Sequence, residues 1–94
     1  MMHQDANRPL IKVTPPGPEA KKVLAKDAKY ISPSYTRGYP FVAERGYGMM
    51  IEDPEGNRYM DMNAGVAVNA TGHCHPEIVK VIQEQAEKLI HMIG

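Results

Sequence analysis

The sequence predicts an α+β chain in which a short helix, a three-stranded antiparallel meander and a long amphipathic helix follow one another. Three observations support this class. A proline at position 18 precedes a weakly amphipathic stretch, a turn signature at residues 53–56 separates two short apolar runs, and apolar residues recur at helical spacing after Pro76. At 94 residues the chain has the size of one small domain or of a piece of a larger one.

The first sixteen residues carry three prolines and little periodicity, which predicts an extended N-terminal arm over residues 1–16. A second unit over residues 17–94 begins with the predicted first helix. Pro18 suits its first turn and Glu19 complements the positive end of its dipole. The apolar residues of this stretch share one helical face: Ala20, Val23, Leu24 and Ala28. Residues 32–40 then predict a loop that is rich in tyrosine and proline.

The middle of the chain predicts a hairpin. Residues 48–52 and 58–62 form the two strands, and residues 41–45 form a third. Between the first two lies the sequence Asp-Pro-Glu-Gly at 53–56, which is typical of a type I turn closed by a glycine bulge. Three short strands are stable only when something covers their apolar face.

The last segment, residues 75–93, supplies a candidate cover. Its apolar residues follow the three-and-four spacing of one helical face: Ile78, Val79, Ile82, Ala86, Leu89, Ile90 and Ile93. Pro76 fits the first helical position, and Glu77 lies in the first turn. Glu84 and Lys88 are spaced to form an ion pair on the exposed face.

The stretch Gly-His-Cys-His-Pro at 72–76 allows three interpretations. His73 and His75 could share a metal ion, but the two other histidines complete no known ligand spacing. Cys74 could be a thiolate activated by its neighbours, but no third catalytic member is visible. The interpretation we favour is a tight loop that enters the last helix, with glycine at a special backbone angle and the imidazoles capping or hydrogen bonding locally.

Composition limits the possible partners. Eleven basic and eleven acidic residues cancel, so no electrostatic attraction to nucleic acid or to an anionic membrane is expected. A single cysteine allows no internal disulfide, and the first residues lack the pattern of a signal peptide. The sequence therefore predicts a cytoplasmic protein without nucleic-acid or membrane partners.

The order of motifs over residues 17–94 resembles the N-terminal part of the class III pyridoxal-phosphate-dependent aminotransferases, which include the 4-aminobutyrate, ornithine and acetylornithine enzymes. The matching pieces are the Asp53–Gly56 turn, "YMDM" at 59–62, Gly-Val-Ala-Val at 65–68 and Gly-His-Cys-His-Pro at 72–76. The resemblance implies a segment of the small domain of a fold-type I enzyme, α/β overall, whose large cofactor-binding domain is absent from this chain.

The resemblance also implies a function. The complete enzyme would use pyridoxal 5'-phosphate to move an amino group from an amine or amino acid, of the 4-aminobutyrate or acetylornithine type, to a 2-oxo acid. This segment would shape the substrate pocket and contact the rest of the enzyme and a second subunit of a homodimer. Tyr39 and Val66 match substrate-contacting positions, and valine at 66 favours a donor other than ornithine, for which the family has tyrosine there.

No cofactor is expected on this chain alone, because none of its lysines resembles a Schiff-base lysine and no glycine-rich phosphate loop is present. The isolated chain is therefore expected to be inactive. Two alternatives remain: a stand-alone binding or assembly module without catalysis, and a pyridoxal-phosphate-dependent racemase or decarboxylase of the same fold.

Overall fold

The computed structural model describes residues 8–94, so the first seven residues of the predicted arm lie outside it. The elements follow the predicted order of helix, antiparallel meander and helix. They are α1 (Pro18–Tyr30), β1 (Arg45–Tyr47), β2 (Met50–Glu52), β3 (Arg58–Met60), a four-residue helical turn α2 (Ala64–Ala67) and α3 (Pro76–Ala86). Among the described residues, no helix is both long enough and apolar enough to cross a membrane.

The hairpin turn between β2 and β3 has the predicted geometry. The Gly56 N–H donates to the Asp53 carbonyl at 3.0 Å, and Gly56 has a φ of +83°. The Asp53 N–H donates to the Asn57 carbonyl at 3.0 Å, which closes the hairpin beyond the extra residue. Glycine is required here because other residues rarely adopt a positive φ. The type I turn with a glycine bulge is confirmed.

The third strand lies further along the chain than predicted. Residues 41–45 were expected to form it, whereas β1 spans Arg45–Tyr47 and pairs with β2 in the register Tyr47↔Met50. That register leaves Gly48 and Met49 as a two-residue turn, with Gly48 at a φ of +60°. Glycine first in a two-residue hairpin loop is typical of a type II′ turn. The predicted position of the third strand was wrong because Gly48 and Met49 were counted as part of the second strand.

The arm packs against the hairpin through one side chain. Asn57 is fully buried, and its Oδ1 accepts hydrogen bonds from the backbone N–H groups of Lys12 and Val13. Its Nδ2 donates to the Val13 carbonyl at 2.7 Å and to Asp53 Oδ2 at 3.0 Å. Leu10 adds an antiparallel backbone bridge to β3. The extended backbone of residues 10–13 is thereby fixed along the hairpin.

Helix α1 is capped by the hairpin turn rather than by its own sequence. Its N-cap Gly17 has no capping side chain, but the Glu55 carboxylate accepts hydrogen bonds from the N–H groups of Glu19 and Ala20 at 3.2 and 2.9 Å. A carboxylate at a helix N-terminus satisfies free donors and complements the dipole. The side chains most deeply buried beneath this junction are Ala20, Met50, Asp53 and Asn57.

The last helix is confirmed at its start and shorter than predicted at its end. Pro76 occupies the first turn, but α3 ends at Ala86 instead of continuing to residue 93. No residue of α3 is buried. Because most helical stability comes from packing of an apolar face, an unpacked face supports fewer turns. Lys88 therefore lies beyond the helix, and among residues 8–94 the predicted Glu84–Lys88 ion pair does not form.

Candidate functional site

Among the described residues, the most unusual backbone lies in α2, which we call the left-handed turn (Ala64–Ala67). Its four residues have φ values of +51°, +62°, +62° and +66° in chain order. A left-handed φ costs a non-glycine residue roughly 1–2 kcal/mol, and a β-branched residue such as Val66 rarely adopts it. None of the four side chains is buried, and Val66 is 80% exposed. The sequence did not predict this turn.

Asp61 holds the start of the left-handed turn. Its Oδ1 accepts hydrogen bonds from the N–H groups of Asn63 and Ala64 at 2.9 and 2.8 Å. Its own N–H donates to the Met49 carbonyl at 2.7 Å, which ties it to the sheet. The Ala64 N–H, then that of Asn63 and then the His73 ring hold the pKa of Asp61 below its ordinary value of 3.8.

His73 completes this arrangement from the other side. Its Nε2 lies 2.6 Å from Asp61 Oδ2, and its backbone pairs with Gly48 in both directions, at 2.7 and 3.0 Å. Gly72 precedes it with a φ of +86°, and a Cβ there would lie 3.2 Å from the Gly48 Cα. Glycine is therefore favoured at 72 both by its φ and by the close approach of two backbones.

The structure decides among the interpretations of the His-Cys-His stretch. His73 binds Asp61, and His75 Nδ1 accepts the Glu77 N–H at 3.3 Å as the N-cap of α3. The prediction of a local cap is confirmed for His75, whereas His73 bonds a side chain twelve positions earlier in the sequence. Cys74 is exposed, with a φ of +54°. Within residues 8–94, no three His, Cys, Asp or Glu side chains are grouped closely enough to hold a metal ion.

Tyr39 lies in the loop between α1 and β1. This loop is fastened to α1 by Arg37, whose Nη2 and Nε donate to the two carboxylate oxygens of Asp27 at 2.8 and 3.2 Å. The Arg37 guanidinium also lies 4.5 Å from the centre of the Tyr35 ring. Tyr39 is 71% exposed beside Phe41, with the two ring centres 6.3 Å apart. Both predicted substrate-contacting side chains, Tyr39 and Val66, are thus solvent accessible, and their roles stay predictions.

More than half of the chain matches one known protein family. Residues 30–94 match the family model described as "Aminotransferase class-III". The chain belongs to the class III aminotransferases.

Individual members of this family agree with that assignment. The acetylornithine aminotransferase of Methanosarcina mazei is 51% identical over 70 residues, which are 74% of this chain and 18% of that protein. The alanine/serine racemase of Pyrococcus horikoshii is 43% identical over 88 residues, 92% of this chain and 19% of that protein. The chain therefore spans less than a fifth of the length of these relatives.

A solved class III structure confirms the fold. The ornithine aminotransferase of Toxoplasma gondii, described with partial occupancy of pyridoxal phosphate at its active site, superimposes with a TM-score of 0.65. It is 36% identical, and the match covers 74% of this chain and 16% of that one. The prediction of an α+β segment of a fold-type I transferase is thus confirmed.

The residues described do not fit a pyridoxal-phosphate site of their own. Their lysines, at positions 12, 21, 22, 26, 29, 80 and 88, are all exposed, whereas a Schiff-base lysine is activated by burial or neighbouring charge. The N-terminal N–H groups of α1 face the Glu55 carboxylate, and His75 caps α3. A carboxylate at that position repels a phosphate group, so α1 does not offer an anion site.

Sequence reasoning missed Asp61 as the organiser of the site. A usable signal was present in the run Asp61-Met62-Asn63-Ala64, because an aspartate often accepts N–H groups two and three residues onward. The partnership of Asp61 with His73 had no comparable signal. Eleven residues separate them in sequence, and the backbone pairing of His73 with Gly48 brings them together.

Proposed function

We propose that this chain forms part of the substrate-binding wall of a pyridoxal-phosphate-dependent aminotransferase that uses N-acetylornithine or a similar amino acid as donor and a 2-oxo acid as acceptor. The single observation that carries the proposal is the left-handed turn, an exposed and strained loop held by part-buried hydrogen bonds within a class III segment. Residues in sparsely populated backbone regions concentrate at functional sites.

The choice of donor is supported by relatives and by residue 66. The acetylornithine aminotransferase of Methanosarcina mazei shares 51% of the aligned residues. Val66 presents a short apolar side chain, which leaves more room for an acylated donor than the tyrosine expected in an ornithine enzyme. The 4-aminobutyrate alternative has no corresponding support among the relatives described above. Tyr39, on the loop fastened by Arg37, is assigned a second substrate contact on the resemblance alone.

When bound, pyridoxal 5'-phosphate would supply the electron sink for amino transfer. The residues of this segment would orient the donor side chain and exclude water from one face of the pocket. The activating lysine and the phosphate-binding turn are assigned to other parts of the enzyme, whereas this segment is proposed to contact those parts and a second subunit. The 94-residue chain alone is therefore proposed to be inactive.

The test uses the protein isolated from its source cells through an antibody to residues 8–30. Its intact mass is measured, and amino transfer from N-acetylornithine to 2-oxoglutarate is compared with transfer from ornithine and 4-aminobutyrate. We expect a species several times heavier than 10.5 kDa that prefers N-acetylornithine. An inactive species of 10.5 kDa would instead support the stand-alone binding module, and a preference for 4-aminobutyrate would overturn the choice of donor.

Racemisation is the second candidate, because the alanine/serine racemase of Pyrococcus horikoshii aligns with 92% of this chain at 43% identity. A racemase needs no 2-oxo acid, since the amino group stays on its carbon and only the proton of that carbon is removed and replaced on the opposite face. Incubation of the same isolated protein with L-alanine in the absence of any 2-oxo acid separates the two candidates. Formation of D-alanine under that condition favours racemisation, and its absence together with amino transfer favours the aminotransferase.

A further inference from the structure

We propose that Asp61 and His73 are positioning residues that fix the left-handed turn and, through Val66, set which amino donor the enzyme prefers. The positioning part stands on the geometry of this chain, and the link to donor choice rests on the proposed function. Neither residue was predicted to belong to the substrate site. Both act at a distance from the donor, through the backbone that carries Val66.

Side-chain packing does not explain why the left-handed turn keeps its conformation. Val66 has a φ of +62° and a ψ of +52°, with 80% of its side chain exposed. No residue of the turn is buried, so no tight packing compensates for the unfavourable backbone. Three bonds within the backbone contribute, from the Ala67 N–H to the Asn63 carbonyl and from the Val68 and Asn69 N–H groups to the Ala64 carbonyl. None of these three links the turn to the sheet.

The link to the sheet runs through Asp61 and His73. The Asp61 side chain is 10% exposed and that of His73 is 19% exposed, so their 2.6 Å contact is shielded from water. Asp61 contacts the turn through its Oδ1 and contacts His73 through its Oδ2. One carboxylate therefore joins both ends of the 61–73 segment. Each residue is anchored through its backbone to the Gly48–Met49 turn. Charge-assisted bonds of this kind are roughly twice as strong as neutral ones.

The consequence for donor choice follows from where the Asp61–His73 pair acts. Loss of the carboxylate charge weakens the bonds from the N–H groups of Asn63 and Ala64, and the backbone can then leave the left-handed region more easily. Val66 would move with it, while Tyr39 and its Arg37–Asp27 fastening would stay in place. A displaced apolar wall changes the relative fit of donors that differ in their distal groups.

The experiment compares donors in competition, using the full protein that carries this segment. For Asp61→Asn, the ratio of kcat/KM for N-acetylornithine to that for 4-aminobutyrate should change by about tenfold. This ratio does not depend on how much enzyme is folded, because both donors compete for the same molecules. A merely structural role would lower both values equally and leave the ratio unchanged, which would overturn the proposal.

A matched control and a conservative variant sharpen this result. Glu44→Gln removes an exposed carboxylate near β1 whose one ion pair within residues 8–94 is with its neighbour Arg45, and it should leave the ratio unchanged. His73→Gln keeps a side-chain donor for Asp61, whereas His73→Ala removes it. The ratio should therefore change less for glutamine than for alanine. An equal change in both variants would contradict a role for the hydrogen bond.

A readout without activity separates this inference from the proposed function. Amide hydrogen exchange of the segment 61–70 should become about tenfold faster in Asp61→Asn, because a charged acceptor is lost, and should be unaffected in Glu44→Gln. If the unmodified protein transfers no amino group, the proposed function fails and the link to donor choice fails with it. The exchange rates then decide the positioning role alone, and unchanged rates would overturn it.

Discussion

Two regions of this small molecule use hydrogen bonds in opposite ways. The hairpin cluster, formed by Asp53, Asn57 and Tyr59 with the backbone of the arm, satisfies its polar groups inside the protein and in favourable conformations. Burial and the hydrogen bond to Asp53 raise the pKa of the Tyr59 hydroxyl. The left-handed turn has exposed side chains and an unfavourable backbone, and it depends on Asp61 and His73.

The difference separates a region that stabilises the fold from one that is held for another purpose. In the hairpin cluster, each bond joins segments that must meet: arm to β3, and turn to strand. In the left-handed turn, the bonds maintain a conformation that the side chains themselves disfavour. Removal of a side chain should therefore lower the free energy of unfolding in the first region and relieve backbone strain in the second.

The largest effect is expected for Asn57→Ala. This change removes four hydrogen bonds of a fully buried side chain and leaves the N–H groups of Lys12 and Val13 without their acceptor. The free energy of unfolding should fall by about 3 kcal/mol. Urea unfolding followed by circular dichroism measures it, with the exposed Asn69→Ala as the control. Equal losses in the two variants would show that burial at 57 contributes nothing special.

A smaller loss is expected for Gly56→Ala, because alanine at a φ of +83° is strained even though an added Cβ would meet only the Lys12 side chain, at 3.4 Å. The free energy of unfolding should fall by about 1–2 kcal/mol. Gly38 provides the matched control, since its φ is not in the positive range and no atom lies within 4 Å of an added Cβ. Gly38→Ala should leave stability unchanged or slightly raised. A similar loss at both glycines would contradict the backbone explanation.

The turn of the hairpin was predictable from sequence, and neither the arm's contact with Asn57 nor the left-handed turn was. The Asp53–Gly56 turn is a local signal, since four adjacent residues carry all the chemistry it needs. The start of α3 at Pro76 is local in the same sense. The left-handed turn depends instead on pairing of His73 with Gly48, which lie 25 positions apart, and helical propensity gives no sign of it. Likewise, the end of α3 depends on packing rather than on the apolar spacing alone.

A change of opposite sign is expected in the left-handed turn. Val66→Gly should raise the free energy of unfolding by about 0.5–1 kcal/mol, because relief of the strained backbone exceeds the entropy that glycine adds to the unfolded chain. Val68 is the matched control: it is equally exposed, at 81%, but has a right-handed φ of −71°. Val68→Gly should lower the same quantity by about 0.5 kcal/mol. A loss at both valines would show that the turn is not strained.

The smallest effect is expected from acid, and it distinguishes Asp61 from the exposed Asp27–Arg37 pair. The pKa of each aspartate is lowered in the fold, for Asp61 chiefly by the Ala64 N–H and for Asp27 chiefly by the hydrogen bond from Arg37. A lowered pKa means that the ionised form is favoured by folding. The stability it contributes is therefore present above the unfolded value of 3.8 and is lost as the pH falls below that value.

The stability difference between the unmodified chain and Asp61→Asn should accordingly shrink as the pH falls below 3.8. Salt then separates the two aspartates. At 0.5 M NaCl the screening length is about 4 Å, so the solvated Asp27–Arg37 pair should be weakened more than the shielded Asp61–His73 contact. Urea unfolding of Asp27→Asn and Asp61→Asn with and without salt measures this. An equal effect of salt on the two stability losses would mean that Asp61 is as solvated as Asp27. The contrast between the shielded Asp61–His73 contact and the surface Asp27–Arg37 pair would then fail.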